Sequence, residues 1–80
     1  MPALTLQFSP QKLRDVRERS GYSRPGLAAH LKEEGHPVSA QHIGRLENGT
    51  SVPRPKTLRA LRLGLGVELD ALLDTETQSA

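Results

Sequence analysis

Apolar residues recur along this chain in short groups, most of them opened by a serine or proline and closed by a glycine. Leu4, Leu6 and Phe8 alternate as in a short strand. Ser9-Pro10 then reads as a helix start: serine caps, and proline fits a first position that needs no N–H. Phe8 and Leu13 have the spacing of a hydrophobic staple across that cap. Leu13 and Val16 form an apolar stripe with Arg17 beside it, and Lys12, Arg14, Asp15, Glu18 and Arg19 are left for solvent. Gly21 closes this helix. Ser23 caps the next, with Arg24, Pro25 and Gly26 in its first turn. Leu27, Ala28 and Leu31 follow at the i, i+1, i+4 spacing of a helix pressed on a neighbour. The pattern runs to about Glu34, where Gly35 breaks it and His36-Pro37 cannot continue it. Ser39 caps a third helix, with Ile43 and Leu46 inward and Gln41, His42 and Arg45 outward; Glu47-Asn48-Gly49 stops it. Pro55 opens a fourth, with Leu58, Leu61 and Leu65 apolar and Gly66 at its end. Glu68 to Leu73 predicts a short fifth helix with Leu69, Leu72 and Leu73 apolar. The reading divides the chain into an N-terminal arm or short strand (1–8), a helical domain (9–74) and a flexible tail (75–80).

Composition narrows the class. Eighty residues make one small domain, near the lower size at which a single core suffices. There is no cysteine, so neither a disulfide nor a thiolate metal site supports the fold. The apolar start, MPALTLQF, has no basic region and is too short for a signal peptide or a membrane span. A soluble, cytoplasmic protein without a membrane partner is expected. The net charge of +2 is unevenly placed: residues 1–64 carry 11 Lys/Arg against 5 Asp/Glu, and residues 65–80 carry 4 acidic residues and no basic one. A basic body with an acidic end suits a polyanion on one face.

The middle of the chain is therefore helix, turn, helix, with a short second helix that is polar on its outer side. Ser23-x-x-x-Leu27-Ala28, then Val38-Ser39-x-x-x-Ile43-x-Arg45-Leu46-Glu47-Asn48-Gly49, then Pro53, then Leu65-Gly66-Val67-x-Leu69-Asp70-x-Leu72-Leu73 resembles the Cro/repressor-type, or XRE-like, helix-turn-helix family over about Leu13 to Leu73. The resemblance implies an all-α fold of five helices, here with an extended turn between the two motif helices. It implies a DNA-binding regulator, usually a two-fold homodimer on a palindromic site, whose 39–46 helix enters the major groove. Ala40 and Gln41 fall at positions that read bases in the family. Ala suits a thymine methyl, Gln suits adenine N6/N7, Arg45 one turn later suits guanine O6/N7, and His42 lies near the backbone edge of the groove. Ser23, Arg24, Ser39, Asn48 and Arg54 are then phosphate contacts, helped by helix N-termini. Arg24 stands where the family often has glutamine, which exchanges a neutral contact for a salt-sensitive one. Arg17 and Glu47 match a buried ion pair of the family.

Three departures stand out. Seven residues, Lys32 to Val38, separate Leu31 from the Ser39 cap, where the family turn is tight. Gly26 replaces an acidic capping-box residue. Gly44 lies inside the recognition helix, at a cost of about 1 kcal/mol against alanine; clearance for a DNA backbone is the gain expected from it.

Other chemistry fits less well. His30, His36 and His42 are six residues apart, about 240° on a helix, which does not converge on a metal. No metal or cofactor is expected. Gly64-Leu65-Gly66 lacks the strand and third glycine of a phosphate loop and reads as a helix end. No nucleophile is set beside a base, so no enzymatic activity is expected. The dimer surface is either the Leu4-Leu6-Phe8 strand paired with its copy or a Leu69-Leu72-Leu73 patch. A protein-interaction module on the same fold, such as an antitoxin binding a toxin, is the alternative reading.

Overall fold

The computed structural model describes residues 4–77. A short strand, β1 (Leu4–Phe8), is followed by four α-helices: α1 (Pro10–Arg19), α2 (Arg24–Glu33), α3 (Ala40–Glu47) and α4 (Pro55–Leu65). A 3-10 turn over Leu69–Ala71 leads into β2 (Leu73–Thr77), which returns antiparallel to β1 with Phe8 opposite Leu73 and Leu4 opposite Thr77.

Each of the first three helices begins where the chain supplies a cap. Ser9, Ser23 and Ser39 hold extended backbone and accept, through Oγ, the N–H of Lys12 (3.2 Å), Gly26 (3.0 Å) and His42 (3.0 Å). Each such bond satisfies one of the donors that a helix start leaves unpaired. Ser9 also ties the sheet to the helices. Its own N–H donates to the Leu72 carbonyl (2.9 Å), so the sheet closes where α1 opens. The long turn between the motif helices is likewise ordered by local chemistry. Gly35 takes φ +83°, and the His36 N–H returns to the Leu31 carbonyl (2.9 Å), which turns the chain away from α2. Val38 then enters the core just ahead of the Ser39 cap.

Leu13, Leu27, Leu31, Ile43, Leu46, Leu61 and Leu72 are fully buried and join all four helices to the segment before β2. At about 1.5–3 kcal/mol per fully buried side chain, this cluster is the main favourable contribution to folding. Gly64 lets α4 come close to α2: a Cβ there would overlap the Leu31 side chain. His30 clasps the same two helices, its Nε2 lying 2.9 Å from the Gly64 carbonyl while its ring stacks on Tyr22 at 5.2 Å. A carbonyl only accepts, so Nε2 carries the proton, and one of the carbonyls left unpaired at the α4 end is satisfied.

The all-α, five-helix expectation is corrected in two places. Four α-helices are present among the described residues, and Glu68 to Leu73 forms a single 3-10 turn before it extends into a strand. A six-residue stretch is too short for the period of its apolar positions to separate helix from strand, and pairing with β1 decides it. Thr75–Thr77 thus belong to β2, within the span read as a flexible tail; residues 78–80 lie outside the described residues. Leu72 and Leu73 are buried, so a Leu69-Leu72-Leu73 dimer patch does not exist as such: Leu69 alone of the three is exposed.

Candidate nucleic-acid interface

The outer face of α3 is built by exclusion. Ile43 and Leu46 are drawn into the core, which fixes the rotation of the helix. Gln41 and Arg45, at i and i+4, stand on the opposite side and are exposed. Ala40 and His42 are half-buried at its flanks, and Asn48 is exposed at the C-cap. His42 shares an open depression with Ser51, Val52, Arg54 and Thr57, so His42 and the exposed Arg54 come together on one flank. Thr50 steadies the end of the helix, donating its N–H (3.0 Å) and its hydroxyl (3.1 Å) to the Arg45 carbonyl.

The helix is set against α1 and α2 by one carboxylate. Arg17 of α1 donates to Glu47 through Nε (2.6 Å to Oε2) and Nη2 (3.0 Å to Oε1), while its Nη1 donates to the Tyr22 carbonyl (2.9 Å). Arg24 of α2 adds an Nε bond to Oε1 (3.2 Å). The Arg17 side chain is 10% exposed, that of Glu47 0% and that of Arg24 39%. This two-pronged geometry is the strong form of an ion pair. Burial alone pushes the Glu47 carboxyl up. The hydrogen bonds and charges of Arg17 and Arg24 outweigh it and hold the carboxyl below its usual range. Arg17, hydrogen-bonded to Glu47, is held above its own. Glu47 is the one acidic residue of α3, and it is spent inward, so the outer face presents no negative side chain.

Arg24 is where the structure departs most from the phosphate contact read in the sequence. Its Nε is committed to Glu47, and its guanidinium crosses α3 at Gly44, where a Cβ would stand 3.5 Å from Nη1. The space beside Gly44 is thus taken by this arginine at ordinary contact distance, so a methyl group there would fit without displacing it. The sequence carries one signal of this: Gly44 has no side chain and lies three residues before Glu47. The apolar pattern does not single out His30 and Thr50 as ties, because their partners are backbone carbonyls that a sequence does not show.

Ser23 and Ser39 each accept one cap hydrogen bond at Oγ, which leaves the hydroxyl proton available to donate. Their helix starts remain candidate anion positions. No group of three or more His, Cys, Asp or Glu among the described residues is placed to hold a metal. No helix among them is long and apolar enough to cross a membrane.

This arrangement, a short capped helix with a polar outer side locked at a fixed angle to the one before it, is that of a helix-turn-helix domain. The chain matches the family model described as "Helix-turn-helix domain" over residues 11–75 and belongs to that family. Comparisons with curated proteins and with solved structures give no match.

Proposed function

We propose that this chain is a sequence-specific, double-stranded DNA-binding transcriptional regulator, a homodimeric repressor that reads the major groove with residues 39–46. The observation that carries it is the outer face of α3: Gln41 and Arg45 side by side, with no acidic side chain among them, on a helix whose roll is fixed by Ile43, Leu46 and Glu47. Gln41 reads adenine, Arg45 reads guanine, and Ala40 and His42 touch bases at the flanks. Ser23, Ser39, Asn48 and Arg54 hold phosphates. Arg24 does so with its Nη groups while Nε stays on Glu47, so its charge arrives already oriented.

The test is selection of bound sites from a random duplex pool. A palindromic consensus with A and G at the positions facing Gln41 and Arg45 is the expected result. Equal micromolar affinity for every duplex at physiological salt would sink the reading. Arg24→Ala is expected to weaken all duplexes alike and to flatten the salt slope by about one unit. One observation favours a protein partner, such as the toxin of a two-gene system: Leu63 and Leu69 are 47% and 42% exposed. That reading gains if the selection returns no consensus.

A further inference from the structure

Among the described residues the sheet has two strands, so β1 and β2 each keep one edge without a neighbouring strand there. Their edges are not equivalent. In an antiparallel ladder, residues alternate between turning their N–H and C=O toward the partner strand and turning them away. The Ser9 N–H donates to the Leu72 carbonyl, one step beyond the Phe8–Leu73 pair. Counting back from Ser9, Gln7 and Thr5 also face β2, and Leu4, Leu6 and Phe8 turn their backbone groups to the free edge. On β2 the outward groups belong to Leu73, Thr75 and Thr77. The Leu73 carbonyl agrees with this count, because it accepts Lys12 Nζ of α1 at 2.7 Å instead of bonding β1. The β2 edge is thus already occupied at its start. It is also acidic: pairing β2 with its own copy about Thr75 sets Asp74 opposite Glu76 twice, and like charges directly opposite are unfavourable. The same operation on β1 about Leu6 sets Thr5 opposite Gln7, both neutral.

We propose that the free edge of β1 pairs with β1 of a second copy of this chain, around a two-fold axis at Leu6. The inference rests on the homodimer reading above and names its surface. Position 6 pairs with position 6, and position 4 with position 8 of the second copy. Three such pairs exchanging two bonds each supply about six backbone hydrogen bonds. The two ribbons become one four-stranded sheet, past the point at which a lone two-stranded ribbon is marginal. The faces also agree. Phe8 packs against the core and Leu73 is buried, and strand alternation places positions 4 and 6 on the same face as position 8. Pairing brings position 4 of each copy beside position 8 of the other and extends that face across the axis.

The test uses the 80-residue chain. Sedimentation equilibrium is expected to show a concentration-dependent dimer, and hydrogen exchange by NMR to show Leu4 and Leu6 amides slowing as concentration rises. Leu6→Pro removes an outward N–H without touching the β1–β2 ladder, a place where proline is tolerated in a strand. It is expected to weaken association by about tenfold or more. Thr75→Pro makes the same lesion on the β2 edge and is expected to leave association unchanged. A monomer at every concentration overturns the proposal, whether or not some other protein's strand takes the edge. So does a dimer that Leu6→Pro and Thr75→Pro affect equally. If Leu6→Pro perturbs the helical circular dichroism, the exchange measurement on the unmodified chain decides. A dimer whose Leu6 amide exchanges at a concentration-independent rate overturns this surface and leaves the homodimer reading standing.

Discussion

Glu47→Gln is the substitution that most directly probes how α3 is held. The side chain keeps its length, loses its charge, and exchanges one acceptor oxygen for an amide group that donates. Three arginine bonds converge on the carboxylate, two from Arg17 at 2.6 and 3.0 Å and one from Arg24 at 3.2 Å. In the variant at least one of them becomes a donor facing a donor, and two cations share a site with no anion. Removing one partner of a buried pair costs about 3–5 kcal/mol. A domain of this size has a total stability of about 4–12 kcal/mol, so the variant stands near the edge of folding. At about 4–8 °C per kcal/mol, the midpoint is expected to fall by at least about 12 °C in thermal unfolding followed by circular dichroism. Arg24→Ala provides the scale. Its side chain is 39% exposed, so its loss is screened by solvent and is expected to cost about 1 kcal/mol. Replacing both Arg17 and Glu47 by Met and Leu is expected to recover most of what Glu47→Gln loses, because no charge is then stranded. If Glu47→Gln cost no more than Arg24→Ala, the carboxylate would not be the tie described above.

Acid should reveal the same group. Its folded pKa is depressed, so its contribution is complete above the unfolded value of about 4.3 and is lost as pH falls below that and through the folded value. The melting temperature of the unmodified protein is expected to drop across this window, and that of Glu47→Gln to change less. The two helical glycines should respond to alanine with opposite signs in urea unfolding. Gly44→Ala meets only ordinary contact with Arg24 and is expected to stabilise by up to about 1 kcal/mol. Gly64→Ala drives a methyl into Leu31 inside the core and is expected to destabilise by about 1–3 kcal/mol. On DNA, Arg45→Ala is expected to relax base choice at one position and cost about 1–3 kcal/mol in specific binding, read by competition against variant duplexes.

Most of the helical frame is legible in the sequence because its determinants are local. Ser9, Ser23 and Ser39 announce their helices, and Leu13, Leu27, Leu31, Ile43, Leu46 and Leu61 fall on their inner faces at helical spacing. The Arg17–Glu47 pair spans 30 residues and is reached only through family resemblance, since no local pattern joins the two. What the sequence hides is decided at a distance. β2 forms because β1, more than 60 residues earlier, lies beside it; Leu72 and Leu73 alone look like a helix end. Arg24 looks like a free cation until Gly44 and Glu47 of another helix are seen beneath it. The outer face of α3 is readable residue by residue, because burial of Ile43 and Leu46 leaves Gln41 and Arg45 no other place.

That division within α3 bears on how such a protein can change. Side chains that fix the helix point one way, and those proposed to read sequence point the other. Exposed positions away from buried networks usually tolerate replacement within about 0.5 kcal/mol. Gln41 and Arg45 can therefore be exchanged for other residues with little effect on folding. If α3 reads bases as proposed, new base preferences are accessible by single substitutions that never pass through an unfolded intermediate, whereas drift at Glu47 or Gly64 is closed off by stability before any change in recognition could be tried.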